Sequence, residues 1–286
     1  MTSLNYLYLG TNQLTGSIPP ELGNLTGLID FNLSANQLTG SIPAELGNLE
    51  NLKNLILTEN QLTGSIPASL GGLTQLGRLW LYRNQLTGEI PPELGNLVNL
   101  DDLLLADNQL SGVIPGELGN MTSLNYLYLG KNQLTGSIPS ELGDITNLKN
   151  LFLEENPGLS GPLPSSLTSL SQVESFHFYG TSLCEPGGTI FQDWLNSITD
   201  LNGTGVSCTP ADFTCDIVTE APQYACEALV TLYNSTDGDN WTDNSGWLLT
   251  DTPCSTPWFG VSCDPENGYG LDLRSNQLTG VIPPEL

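Results

Sequence analysis

The chain has 286 residues, room for one large domain or two ordinary ones, and 31 acidic against 6 basic side chains give it a formal charge of −25. That balance excludes nucleic acid and anionic membrane surfaces as partners, since both would be repelled, and it suits a highly soluble extracellular protein. No apolar run reaches membrane-spanning length, and Met1 does not open a basic-then-apolar leader.

A repeat dominates the first part of the chain. Met1–Asn24, Leu25–Asn48, Leu49–Gly72, Leu73–Asn96, Leu97–Asn120 and Met121–Asp144 are each 24 residues long. Ile145–Ser169 is one residue longer, with "NPGLSGPLP" in place of "NQLTGSIP", and a degenerate turn starts at Leu170. Leu7 and Leu9 flank an outward Tyr8, which is strand alternation. Leu4, Leu14, Ile18 and Leu22 supply the other inward side chains of one coil. A single coil cannot bury its apolar face, so the coils must stack. Asn12, Asn36, Asn60, Asn84, Asn108, Asn132 and Asn156 then fall on one inward column, where each can bond the backbone of its own turn and of the next coil. Gly16 and Pro19, with their equivalents, shape the turn and interrupt long helices.

The pattern LxxLxxLxLxxNxLxGxIPxxLGx resembles the plant-type leucine-rich repeat, over the whole array. The resemblance implies an α/β repeat solenoid. This is a right-handed leucine-rich-repeat horseshoe with a parallel sheet on its concave side, short 3-10 or turn segments on its convex side, and disulfide-containing caps. After the array, Thr189 and Gln192 have capping-box spacing, and Ile190, Trp194, Ile198 and Leu201 form the apolar stripe of the helix they start. This segment resembles the family's C-terminal cap, bracketed by Cys184 and Cys208, which are expected to pair. A second pattern follows the six residues "TPADFT". It has an amphipathic helix bearing Cys226, Leu229, Val230 and Tyr233, a Trp-rich loop, and "CSTPWFGVSC". It resembles the N-terminal cap of the same family, whose Cys–x–Trp–x–Gly–Val–x–Cys element Cys254 and Cys263 match. Cys215 and Cys226 remain to pair with each other.

The expected organisation is therefore an array with its C-terminal cap over 1–208 (cap about 184–208), a linker over 209–214, and an N-terminal-type cap with a first repeat over 215–286. Six cysteines confined to the later part of the chain point to an oxidising compartment, and the lack of a leader suggests a fragment or mature piece. The final "GLDLRSNQLTGVIPPEL" starts a new coil. Either the chain is cut from tandem repeat units, or the trailing coil docks head-to-tail on the coil at Met1. Distance favours the first arrangement. Eight coils at about 4.8 Å span roughly 35–40 Å, whereas the stretch between Cys208 and Cys215 reaches about 24 Å.

No catalytic constellation is present. His177 is the sole histidine and has no neighbouring nucleophile, and there is no phosphate-cradling glycine loop. The acidic loop "STDGDNWTDNSG" places Trp241 where a calcium loop needs its third ligand. The expectation is a non-catalytic module without cofactor or metal. Its informative surface is the outward face of the strands, where aromatic residues collect: Tyr6, Tyr8, Trp80, Tyr82, Tyr126, Tyr128, Phe152, His177 and Tyr179. The basic residues Arg78, Arg83 and Lys131 lie in or beside the same strands, while Glu21, Glu45, Glu93, Glu117 and Glu141 line the opposite turn. Exposed aromatic and arginine groups anchor recognition surfaces. By resemblance to receptor ectodomains and polygalacturonase inhibitors, the partner would be a protein, peptide or carbohydrate ligand. The basic residues would meet its acidic groups. A structural or adhesive surface role is the alternative, with ice binding through outward Thr15/Ser17, Thr39/Ser41, Thr63/Ser65 and Thr135/Ser137 a third reading. Thr87/Glu89 and Ser111/Val113 interrupt those ranks.

Overall fold

A computed structural model describes residues 4–186 and 189–208 and, beyond these, 226, 229, 230, 232, 233, 261–264, 268–273 and 276. The chain divides into two compact units. One comprises Met1–Ser160, Ser166–Ser182 and Leu195–Thr204; the other comprises Gly161–Ser165, Leu183–Trp194 and Gly205–Leu286.

In the first unit the period folds as a solenoid. Nine three-residue strands, Tyr6–Tyr8, Asp30–Asn32, Asn54–Ile56, Arg78–Trp80, Asp102–Leu104, Tyr126–Tyr128, Asn150–Phe152, Ser175–His177 and Asp200–Asn202, form one sheet in sequence order. Neighbouring strands are parallel, and Tyr6 pairs with Asp30, which pairs with Asn54, so equivalent residues of successive coils stand side by side. The ninth strand lies beyond the expected end of the array. Its Leu201 pairs with Phe176 of the sheet, whereas the sequence had placed it on a helix.

Each coil contributes a ring of inward apolar residues. In the fourth coil Leu73, Leu76, Leu79, Leu81, Leu86 and Leu94 are all fully buried, each contributing roughly 1.5–3 kcal/mol relative to exposure. The first coil has no neighbour before it among the described residues, and there Leu9 and Leu14 are 40% and 38% exposed. The asparagine column behaves as expected. Asn132 Nδ2 donates to the carbonyls of Leu105 and Leu129, and its Oδ1 accepts from the Leu110 N–H. From Asn36 onward each such side chain also bonds the preceding coil and so ties two coils together.

The far side of each of the first seven coils is a five-residue 3-10 helix opening after a proline, as in Pro20–Asn24 and Pro92–Asn96. Glu21, Glu45, Glu93, Glu117 and Glu141 occupy first turns, where the helix dipole favours a carboxylate. The glycine that closes this turn is sterically obligatory: a Cβ on Gly95 would lie 2.2 Å from the Glu117 carbonyl oxygen.

Cys184 and Cys208 form the expected disulfide. The cap helix runs over Thr189–Ser197, but its buried face is Phe191, Trp194, Leu195 and Ile198, while Ile190 is 64% exposed. The spacing i, i+3, i+4, i+7 selects that face, and the expected stripe through Ile190 is corrected. Gln192 reaches back to donate through Nε2 to the Pro186 carbonyl; the Thr189 side chain of the expected capping box lies outside the described residues.

In the second unit, residues 226, 229, 230, 232 and 233 are helical, with Cys226, Leu232 and Tyr233 buried. Val261–Asp264 and Gly268–Leu271 pair antiparallel. The linker 209–214, Cys215 and Cys254 lie outside the described residues, and with them the expected Cys215–Cys226 and Cys254–Cys263 pairings. Cys226 is disulfide-bonded.

Candidate recognition surface

The outward positions of the nine-stranded sheet form columns, because the strands are in register. One column runs Tyr8, Asn32, Ile56, Trp80, Leu104, Tyr128, Phe152, His177, Asn202. Within it the Tyr128 and Phe152 ring centroids are 4.3 Å apart at 19°, and those of Phe152 and His177 are 4.4 Å apart at 9°. Tyr126 meets Tyr128 edge-on at 6.3 Å, and Tyr179 lies 6.4 Å from His177. The structure thus joins five of the aromatic residues expected at the site into one run. The strand spacing of about 4.8 Å lets rings on neighbouring strands stack with a small offset, face against face, with their edges towards solvent.

The other expected aromatics stand apart from this run. Tyr6 and Tyr8 pack together at 6.2 Å on the first strand, 54% and 62% exposed, and the Tyr8 hydroxyl donates to Asp30 Oδ2. That hydrogen bond holds the Tyr8 phenol above its ordinary pKa. Trp80 donates through Nε1 to Asp102 Oδ2 at 3.0 Å. The Arg78 and Arg83 guanidinium groups lie 5.9 Å from the Trp80 and Tyr82 rings respectively.

The expected basic anchors already face carboxylates of the chain itself. Arg78 Nε lies 3.4 Å from Asp102 Oδ2. Arg83 bonds Glu59 at 2.7 Å and lies 3.8 Å from Asp107, and Lys131 lies 3.8 Å from Glu155. Glu59, Arg83, Asp107, Lys131 and Glu155 occupy equivalent positions after the strand, all with left-handed backbone. They form a rim of alternating charge.

Two acids enter the site that the sequence reading passed over. Asp102 is 7% exposed; burial and the neighbouring Asp101 push its carboxyl above the usual range, while Trp80 and Arg78 pull it down. Burial likewise raises Glu154, against the lowering effects of its own backbone N–H, His177 and Lys131. Burial also raises Tyr128, which feels the charges of both acids. His177 Nε2 is 3.0 Å from Asp200 Oδ2, without the alignment of a hydrogen bond. Both acids could have been found from the columns: Asp102 shares one with Arg78 and Tyr126, Glu154 one with Tyr82 and Tyr179.

The hydroxyl ranks lie on a second set of parallel strands with a different register. There Thr15 pairs with Gln37, Ser17 with Thr39, and Ser41 with Thr63. The two-residue offset breaks straight ranks of threonine into Thr–Ser pairs. Beside them runs an open groove of about 770 Å³ floored by Ile18 and Ile42 and edged by Ser17, Ser41, Ser65 and Pro67. Among the described residues no cluster of His, Cys, Asp and Glu could hold a metal ion, and no helix is long and apolar enough to cross a membrane.

Leucine-rich-repeat family models match residues 98–157 and, separately, 3–25, 27–49, 51–73, 75–97 and 270–286. No curated protein matches the chain. Among solved structures it is similar to the plant peptide hormone receptor RGFR1, in complex with RGF2. Identity is 36% over 69% of this chain and 31% of that one, with a TM-score of 0.65. It is also similar to the Arabidopsis receptor kinase HAESA, in complex with the peptide hormone IDA and the co-receptor SERK1, at 34% identity, 70% and 34% coverage and TM-score 0.64. A leucine-rich-repeat protein of Leptospira interrogans matches at 27% identity, 70% and 55% coverage and TM-score 0.58. The chain spans about a third of the length of the plant receptor structures. Repeat matches along most of the described array, and these likenesses, give the conclusion that the chain belongs to the plant-type leucine-rich-repeat family.

Proposed function

We propose that the nine-stranded sheet is an extracellular, non-catalytic recognition surface for a peptide or protein ligand. The observation that carries this reading is the aromatic run from Tyr126 through Tyr128, Phe152 and His177 to Tyr179, on a face that the solenoid does not need to be apolar. The core is already filled by leucines on the other side of the same strands. Each of these rings is half-buried, and partly exposed aromatic groups grouped in this way are the usual energetic centre of an interface. The plant structures that resemble the chain hold peptide hormones, which favours a peptide. Sugar recognition by stacking needs free ring faces, and Phe152 at the middle of the run has both of its faces covered. Ice binding through the hydroxyl flank is the weaker reading, because the offset register yields pairs of hydroxyls and not ranks.

The test uses random dodecapeptides displayed on phage and selected against the full chain. Peptides so obtained should bind Tyr128→Ser and Phe152→Ser at least about tenfold more weakly than the parent, a loss of about 1.4 kcal/mol. Glu93→Gln and Glu117→Gln, on the opposite turns, should leave binding unchanged. Selected peptides that ignore both aromatic variants would overturn the reading.

A further inference from the structure

Two carboxylate oxygens of the recognition face are covered from solvent and accept no hydrogen bond from the described residues: Asp102 Oδ1 and Glu154 Oε2. Buried acceptors are satisfied in the great majority of native structures, and a buried carboxylate without a donor carries a larger penalty than a neutral group. The cations nearby are engaged elsewhere. Arg78 lies against the other oxygen of Asp102, at 3.4 Å, long for a charge-assisted bond. Arg83 is divided between Glu59 and Asp107, and Lys131 faces Glu155. Glu154 is folded over Gly130, where its Oε1 would lie 2.5 Å from a Cβ. Residue 130 must therefore be glycine for the acid to hold this place. Tyr128, which heads the ring stack, feels the charges of both acids.

This inference rests on the sheet being a recognition face. We propose that the surface from Asp102 to Glu154 binds a basic peptide segment. One lysine or arginine would donate to Asp102 Oδ1, displacing the half-exposed Arg78. A second would donate to Glu154 Oε2, with the intervening residues lying over Tyr128 and Phe152. Tyr128 and His177 cover both faces of Phe152, so the carboxylates and not that ring hold the cations. Two coils separate the acids across the sheet and four residues along it, or about 10 Å by 13 Å. An extended peptide covers that span in roughly five residues, so its two basic residues stand about four or five apart. The formal charge of −25 draws such a ligand in from a distance.

The probe is a heptapeptide with arginine at its second and sixth positions, compared with its glutamine and glutamate versions by calorimetric titration of the full chain. The arginine peptide should bind at least about tenfold more tightly than the glutamine version, and the glutamate version not at all. Asp102→Asn and Glu154→Gln, which keep side-chain shape, should each weaken the arginine peptide about tenfold. Glu93→Gln and Glu117→Gln, which remove the same charge elsewhere, should change it less than twofold. Equal losses in all four variants would reduce the effect to net charge and overturn the proposal, as would absence of arginine-peptide binding at millimolar concentration. If phage-selected peptides depend on Tyr128 but not on Asp102 or Glu154, the recognition face stands and the basic segment falls. If they depend on none of the three, both fall.

Discussion

Replacing Asn132 by alanine tests what fastens one coil to the next. Asn132 is 6% exposed and makes bonds to two coils. Its Nδ2 donates to the Leu105, Leu129 and Gly130 carbonyls at 3.1, 3.0 and 3.3 Å, and its Oδ1 accepts from the Leu110 N–H at 3.0 Å. In the variant the Leu105 carbonyl keeps Asn108 and the Leu129 carbonyl keeps Asn156. The Leu110 N–H loses its acceptor. An orphaned buried donor costs about 1–3 kcal/mol, and the bonds of the two Nδ2 hydrogens, shared among three carbonyls, about 0.5–1.5 kcal/mol per hydrogen, so Asn132→Ala should destabilise by about 2–6 kcal/mol. Asn12 in the first coil is the control. It is exposed and, among the described residues, donates to the Leu9 and Gly10 carbonyls of its own coil, so water can replace it and Asn12→Ala should cost about 1 kcal/mol or less. Denaturant titration of both variants, with hydrogen exchange to locate the loosened coils, measures the difference. Equal midpoints for the two variants would show that the asparagine column is not what joins the coils.

The turn glycines give a second contrast. Gly95→Ala drives a Cβ into the Glu117 backbone and should cost about 1–3 kcal/mol or more, whereas Gly72→Ala meets nothing within 4 Å and should change the midpoint by less than about 0.5 kcal/mol. The two buried acids predict a pH dependence. Both carboxyls are raised in the folded state, so their stabilising contribution is complete below the unfolded values of about 3.8 and 4.5 and is lost as pH rises through the folded ones. Asp102→Asn should therefore melt above the parent at pH 7 and level with it near pH 3; a parent that melts higher at pH 7 would contradict this. On the rim, Arg83 is 61% exposed, so Arg83→Ala should cost under about 1 kcal/mol, and less still in high salt.

Much of this architecture is legible in the period alone. Register follows from a repeat of constant length, so the residues that share a column of the sheet can be read directly, as can the asparagine ladder and the acid on each 3-10 turn. What cannot be read is how neighbours in a column use one another. Arg83 and Lys131 look like free cations in sequence, but the left-handed residue after each strand sets them beside Glu59, Asp107 and Glu155. Tyr128, Phe152 and His177 look like separate anchors, and stacking turns them into one closed unit. The cap was misread for a related reason. Both Ile190 and Phe191 fit a 3.6-residue period, and only packing decides which one is buried. Asp102 and Glu154 went unnoticed because an acidic residue in an acidic chain gives no local signal. Their significance lies in donors that the folded sheet does not supply.

Ligands are expected to meet the strand face and no other surface. Hydrogen exchange on the full chain, with and without a phage-selected peptide, measures this most directly. Slowed exchange is expected, confined to the strands and following turns of residues 78–83, 102–107, 126–131 and 150–155. Protection concentrated instead along the groove edged by Ser17, Ser41 and Ser65, or on the 3-10 turns, would contradict it.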